Sequence, residues 1–373
     1  MGDQLRRWSR WLAPGLGIKR WAVVLAGGIL LISAGVALIV KVSFLSWLDL
    51  TFLRVLSAVV TLTRGAIPPV AIGAVMILLG GFVVLVGLRG ALRSIDRVLF
   101  PTGTPTLVEV LRQQRSLSRG PRIVALGGGT GLSTLLRGLK RYSANITAVV
   151  TVFDDGGSSG RLRRDLGVLP PGDIRDCLVA LAESEPLMTQ LFEYRFQSGA
   201  FDGHAFGNLF IASLVGVTGD LEQAVKEASK VLNIRGRVLP GTLQDVVLCA
   251  EYEDGTVVEG ESQIPLARRR IRRVFLKPED VPALPDVLEA IAEADLILIG
   301  PGSLFTSVIP TLLVRGVADA VRAATVPRIY ICNVMTQPGE TDGFPAPDHV
   351  RALPAAAGPA GCADFQSGLG VRN

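Results

Sequence analysis

Histidine is scarce in this chain: only His204 and His349 occur in 373 residues. That excludes H-E-x-x-H zinc sites and leaves little from which to build a Ser-His-Asp triad. The four cysteines (Cys177, Cys249, Cys332, Cys362) are scattered without a C-x-x-C pair, so they read as reduced, packed thiols of a cytosolic compartment. Aromatic residues make up 6% of the chain, and no lysine run is interleaved with them. The formal charge of +5 therefore lacks the footprint of a nucleic-acid binder. Charged residues reach only 19%, against 49% hydrophobic ones. The apolar excess lies almost wholly before residue 90, which divides the chain into a membrane part and a globular part.

Trp21 to Val40 is a run of twenty residues without a charge. As a helix it covers about 30 Å, the thickness of a hydrocarbon core. Ile67 to Leu88 has the same character. Asp49 and Arg54 interrupt the apolar stretch between them, so no third span is expected there, and Trp47 falls near an interface. The first segment is too long for the apolar core of a cleaved signal peptide. Arg6, Arg7, Arg10, Lys19 and Arg20 precede the first span; Arg89, Arg93 and Arg97 follow the second. By the positive-inside rule both flanks are cytoplasmic, so the expectation is a two-helix transmembrane hairpin in the plasma membrane over residues 1–91. A juxtamembrane linker over 92–121 follows, broken at Pro101 to Pro105, with a short helix expected from Thr106 to Leu117. Arg112, Arg115, Arg119 and Arg122 fit either contact with anionic headgroups or a solvated basic face.

From Arg122 strands alternate with helices, the pattern of a covered parallel sheet. Ile123 to Leu126 is a buried strand, followed by Gly127, Gly128, Gly129, Thr130 and Gly131 and then a helix carrying Leu132, Leu135, Leu136 and Leu139. Ile146 to Phe153 is a second strand, ending in Asp154, Asp155, Gly156, Gly157, Ser158 and Ser159. The first loop is neither G-x-G-x-x-G nor a Walker motif, and alone it reads equally well as a tight turn. Its position at a strand's carboxyl end, opening a helix, lets backbone N–H groups approach an anion. Asp154 stands where such folds place a carboxylate on a ribose hydroxyl. A second loop repeats the pattern. Strand Asp295 to Ile299 leads into Gly300, Pro301, Gly302 and Ser303, with Thr306 and Ser307 adding hydroxyls to another anion cradle. The last strand, Arg328 to Cys332, ends at Asn333.

The stretch between the loops reads as a less regular insertion. His204 and Asn208 sit at a helix start, where they contact ligand or serve structure. Val247 to Ile264 reads as a hairpin turning at Asp254-Gly255. Arg268, Arg269, Arg270, Arg272 and Arg273 fit a solvated edge strand, or contact with phosphate or a membrane surface.

The segments IVALGGGTGLSTLLRGLK, VTVFDDGGSSGRLR, LPPGDIRDCLVAL, HAFGNL, GESQIP and ADLILIGPGSLFTSVIPTLL resemble the YvcK-type gluconeogenesis factors. Their superfamily includes the CofD-type phospholactate transferases. The resemblance runs from Arg122 to Phe344. It implies a Rossmann-like α/β fold with helices on both faces of a parallel sheet, over residues 122–345. It also implies binding of a UDP-sugar such as UDP-N-acetylglucosamine, and a role in cell shape and envelope synthesis during gluconeogenic growth. The ligand-site residues it implies are Gly127 to Gly131, Asp154, Asp155, Ser158, Ser159, His204, Asn208, Gly300, Gly302, Ser303, Thr306, Ser307 and Asn333. No cofactor is required by this reading, and no catalytic residue is assigned. Asp154 and Asp155 are the pair that would hold Mg²⁺ if a metal is used. Envelope-synthesis proteins, membrane lipid and a second copy of the chain are the partners it allows. The alternative is a CofD-like transferase of a phosphate-linked group. Two departures from the family pattern stand out: the amino-terminal hairpin lies outside the common core, and 346–373 reads as an irregular, incomplete tail.

Overall fold

A computed structural model of the chain describes residues 18–40, 68–99, 107–183 and 186–356. The chain divides into two compact units near Arg112.

In the first unit, helices α1 (Ile18–Val40) and α2 (Pro69–Leu99) pack against each other in antiparallel fashion. Glycine makes the close approach. A Cβ on Gly28 would meet Val84 Cγ2 at 2.6 Å and Gly80 O at 3.0 Å; one on Gly35 would meet Gly73 O at 2.7 Å. Gly28, Gly35, Gly73, Gly80 and Gly87 are all buried. Their spacing of seven keeps them on one side of each helix. The outward faces are apolar, with Leu78, Val75, Phe82 and Val23 each more than three-fifths exposed. Within α2, Val70–Ala91 is long and apolar enough to cross a membrane; in α1 the apolar stretch is the shorter Val23–Val36. Length and composition thus support one span of the expected two. Trp47, Asp49 and Arg54 lie outside the described residues, as do Arg6, Arg7 and Arg10.

Helix α3 (Leu107–Ser118) leads into the second unit. There a five-stranded parallel sheet has the order β3-β2-β1-β7-β8. Strands β1 (Ile123–Gly127) and β2 (Ile146–Val150) are buried at every position, as a strand covered on both faces must be. Ile123 pairs with Ile146 on one side and with Leu296 of β7 (Leu296–Ile299) on the other. Strand β8 (Arg328–Tyr330) forms one edge and β3 (Arg237–Pro240) the other. The segment between β2 and β3 was expected to be irregular. It is instead five α-helices, α5 (Gly157–Leu166), α6 (Gly172–Leu181), α7 (Pro186–Glu193), α8 (Phe206–Thr218), which is the helix expected to start near His204, and α9 (Leu221–Val231); α4 (Gly129–Leu139) lies before β2. Short helices interrupted by Pro170-Pro171, Pro186 and the positive-φ residues Gly199 and Gly203 give no sustained periodicity to read. The core joins Leu126, Leu132, Leu136, Ile146, Ile174, Leu178 and Ile211, all at most 1% exposed.

A second, antiparallel sheet runs β5-β4-β6. Strands β4 (Val247–Tyr252) and β5 (Val257–Glu259) form the expected hairpin. Its turn is set by Gly255 at φ +81°, and Asp254 Oδ1 accepts the Thr256 N–H at 2.9 Å. The arginine run enters β6 (Ile271–Lys277) as an exposed edge. Arg272 and Arg273 both pair with Glu251, at 2.8 and 2.7 Å. Helix α10 (Pro285–Ala292) packs against α12 (Val317–Ala323), and α11 (Ile309–Leu313) packs against α12, β6 and β1. The expected irregular tail begins as a helix, α13 (Ala346–Ala356), with Leu353 and His349 buried on one side. Its apolar side chains recur at helical spacing, which the density of Pro and Ala in the sequence obscured. Residues 357–373 lie outside the described residues.

Candidate functional site

The strand order decides where a ligand site can form. From β1 the chain proceeds through β2 to β3 on one side, then returns to place β7 and β8 on the other. The crevice beyond the carboxyl ends of β1 and β7 is therefore the topological switch point, where open α/β sheets bind ligands. Each of those two strands ends in a glycine loop.

The two loops touch. A Cβ on Gly131 would lie 2.7 Å from Pro301 O, and one on Gly302 would lie 3.3 Å from Gly128 O. Gly129, at φ +65°, and Gly300, at φ +77°, hold left-handed backbone that other residues adopt only with strain. Two cradles inferred separately thus form one wall. Thr130 is exposed beside it.

Under the first loop sits a carboxylate that its sequence context had not singled out. Asp173 Oδ2 accepts the Thr151 hydroxyl at 3.0 Å, and Asp173 also accepts the Gly129 N–H. Gly128 is glycine because any Cβ would sit 2.4 Å from Asp173 Oδ2. Burial, aided by the charge of Asp154, raises the Asp173 pKa to about 7.

The second loop is anchored from behind. Asn333 accepts the Gly302 N–H at 3.3 Å and donates to Gly302 O at 2.8 Å. The Ser303 hydroxyl donates to Gln337 Oε1 at 2.7 Å. Thr306 donates to Glu340 Oε1 at 3.1 Å, and the Phe305 N–H donates to Glu340 Oε2 at 3.3 Å. Leu304–Val308 forms a single π-helical turn, a distortion frequent at functional sites. The hydroxyls of Ser303 and Thr306, and both ends of the Asn333 amide, are thus engaged in shaping the loop. Ser307 is buried against Gly302. Burial raises the Glu340 pKa to about 7, against the hydrogen bonds that favour its charged form.

The loop after β2 and the start of α8 are joined side by side. Ser158 Oγ lies 3.1 Å from His204 Nδ1, and Asn208 Nδ2 donates to Ser159 Oγ at 3.5 Å. Arg175, 7% exposed, donates to Asn208 Oδ1 at 3.1 Å. Burial, then the nearby Arg161, lower the His204 pKa, which favours the neutral imidazole. Asp154 Oδ1 accepts the Gly156 N–H at 2.9 Å, closing the turn. Asp155 Oδ1 accepts the Ser262 N–H at 2.8 Å, and its Oδ2 lies 2.4 Å from where a Cβ on Gly260 would stand. Asp155 thus holds the 260–262 loop of the antiparallel sheet through Oδ1, and Gly260 leaves room for Oδ2. Among the described residues no group of three or more His, Cys, Asp or Glu side chains has the arrangement of a metal site.

Sequence reasoning missed Thr151, Asp173, Arg175, Glu261, Gln337 and Glu340. Asp173 and Glu261 lie within segments that carry the family resemblance, yet nothing in their local spacing marks them as convergent.

The family model for 2-phospho-L-lactate transferase CofD matches residues 123–367. The chain belongs to this family. A relative from Nostoc sp. is 54% identical over 358 residues, which cover 95% of this chain and 77% of the relative. The gluconeogenesis factor of Bacillus subtilis is 56% identical over 238 residues, 64% of this chain and 75% of its own. A crystal structure of a protein from Bacillus halodurans superposes with a TM-score of 0.64 at 54% identity, covering 65% of this chain and 78% of that one. The match to the Nostoc protein extends well into the segment before Arg122. That segment is accordingly shared with some members of the family, beyond the core expected from the motifs.

Proposed function

We propose that the α/β unit binds the diphosphate of a nucleotide sugar of the UDP-N-acetylglucosamine type and acts as a binding and regulatory protein. The observation that carries this reading is the joined pair of glycine loops at the β1–β7 switch point. Past Gly129, whose N–H Asp173 holds, the backbone N–H groups of Thr130 and Gly131 at the start of α4 offer an anion donors. The hydroxyls and amides of the Ser158–His204 and Ser159–Asn208 pairs suit a ribose or sugar. The name gluconeogenesis factor carried by the Bacillus relative is consistent with a role tied to carbon supply. A role in cell shape, through envelope-synthesis proteins, belongs to the same proposal. So does membrane attachment through α1 and α2, for which the apolar length of Val70–Ala91 is the support.

Calorimetry of UDP-N-acetylglucosamine against the full chain tests the site. Micromolar binding is expected, unchanged by EDTA, with the ligand recovered intact after incubation. Gly129→Ala adds a Cβ at φ +65° with open space around it, 3.9 Å from the nearest atom, Asp173 Oδ1. That variant folds and loses affinity if the loop holds phosphate.

The name of the matching family model favours a second reading, transfer of a phosphate-linked group. Metal-dependent consumption of the nucleotide sugar, lost in Asp154→Asn, would promote it over the first.

A further inference from the structure

The antiparallel sheet is absent from the binding argument so far, yet it reaches the site. Its 260–262 turn is stapled to the loop after β2. Asp155 accepts the Ser262 N–H at 2.8 Å, Gly260 packs on the other Asp155 oxygen, and a Cβ on Gly156 would lie 3.5 Å from Ser262 Cβ. Gly260, at φ +102°, sets the turn, and its N–H donates to Leu248 O of β4 at 2.8 Å. These contacts fix the residue between Gly260 and Ser262, which is Glu261.

Glu261 is half-buried. Its carboxyl is close enough to Asp154, Asp173, Asp155 and Glu340 to feel each of their charges. Asp173 lies under the first glycine loop and Glu340 behind the second. The turn that carries Glu261 thus lies against the loop after β2, next to Asp155 and Gly156 at the edge of the candidate site. Each of those four neighbours has hydrogen-bond donors from the protein. Glu261 receives none among the described residues; only burial and neighbouring charge act on it. A half-buried carboxyl without protein donors, held by a dedicated turn, keeps both oxygens able to accept from a bound ligand.

We propose that Glu261 is the specificity-determining residue of this site, hydrogen-bonding the hydroxyl or amide groups of the sugar while the glycine loops hold the diphosphate. Asp155 is then a positioning residue: it sets the turn that presents Glu261 and does not itself touch ligand. The inference rests on the nucleotide-sugar reading and adds to it a division of labour. The loops recognise what UDP and a UDP-sugar share; Glu261 recognises what only the UDP-sugar has.

The test compares UDP with UDP-N-acetylglucosamine on the full chain, for the native protein, Glu261→Gln and Glu261→Ala, with thermal melts confirming folding. The expected result is that Glu261→Ala weakens the UDP-sugar by about tenfold or more, the scale of one hydrogen bond to a carboxyl group, and leaves UDP within about twofold. Glu261→Gln, which keeps one acceptor, should fall between the two. Equal effects on both ligands, or none on either, overturn the role of Glu261 while leaving the loop site standing. Failure of the native protein to bind either ligand overturns the nucleotide-sugar reading itself. If both Glu261 variants unfold, Ser262→Pro, which removes the N–H that Asp155 holds, supplies the same comparison.

Discussion

The two units use glycine in opposite ways. In the helical pair, Gly28, Gly35 and Gly80 hold ordinary helical backbone, and what matters is the missing side chain: their carbonyl and amide groups face the partner helix at distances no Cβ tolerates. In the α/β unit, Gly129, Gly300 and Gly157 have space around them or moderate contacts, and what matters is positive φ. The first use brings helices together where no polar group is needed; the second exposes N–H groups to a ligand. Gly131, inside α4, follows the first use although it sits in the α/β unit: it brings the two loops into contact, as Gly302 does from the other side. The lesson is that a glycine's role follows from which atom its Cβ would meet, and that this can be tested one residue at a time.

The largest effect is expected at Gly131→Val. The new side chain overlaps the Pro301 carbonyl, a backbone atom that cannot rotate away, so the loops must separate. A loss of about 3 kcal/mol or more is expected in chemical denaturation. A change below about 1 kcal/mol would show that the loops are not packed as described.

Next in size is the dependence on pH. Asp173 and Glu340 each titrate near pH 7 in the folded unit, above the usual carboxylate range. A carboxyl whose folded pKa is raised binds more protons folded than unfolded between the two values. Stability should therefore fall as pH rises from about 4 to about 7, and Glu261, which burial and its acidic neighbours raise to about 8, carries the fall on to about that pH. Melting temperatures of Asp173→Asn and Glu340→Gln should show a shallower decline. A native protein that gains stability over this window contradicts the burial assigned to these groups.

A smaller effect separates the two faces of α1. Gly28→Leu should weaken the helix pair, because its Cβ meets Val84 and Gly80; Gly27→Leu should not, because nothing lies within 4 Å of it. Hydrogen-exchange protection of the α1 and α2 backbone amides reads the difference. Equal loss in both variants would remove the glycine seam from the account. The smallest effect is a gain. Gly138, within α4 and with open space around it, should accept Ala with a stabilisation of about 0.5–1 kcal/mol.

The contrast also shows what the sequence could reveal. Strands β1, β2 and β7 were legible because buried parallel strands are short apolar runs, and each was followed by a visible glycine loop. Strand β3, RVLP, was not: four residues behind Gly236 and ending in Pro carry no pattern of their own, and only pairing with β2 makes them a strand. The loops of the site were legible for the same local reason. Asp173, Glu261 and Glu340 were not, because their significance lies in burial and in convergence from separate elements, which no spacing encodes. Ser303, Thr306 and Asn333 teach the converse. Their polar groups stood out beside a glycine loop, yet the structure turns them towards Gln337, Glu340 and Gly302.

The central claim is that the joined glycine loops hold the phosphates of a nucleotide sugar. Titration calorimetry of UDP-N-acetylglucosamine with the full native chain, its Gly129→Ala variant and its Gly138→Ala variant tests it most directly. The account predicts micromolar binding to the native protein and to Gly138→Ala, and at least about a tenfold loss in Gly129→Ala, whose fold should cost only about 1–2 kcal/mol for left-handed backbone at one residue. Unchanged affinity in a folded Gly129→Ala protein would contradict it and place the ligand away from the β1–β7 crevice.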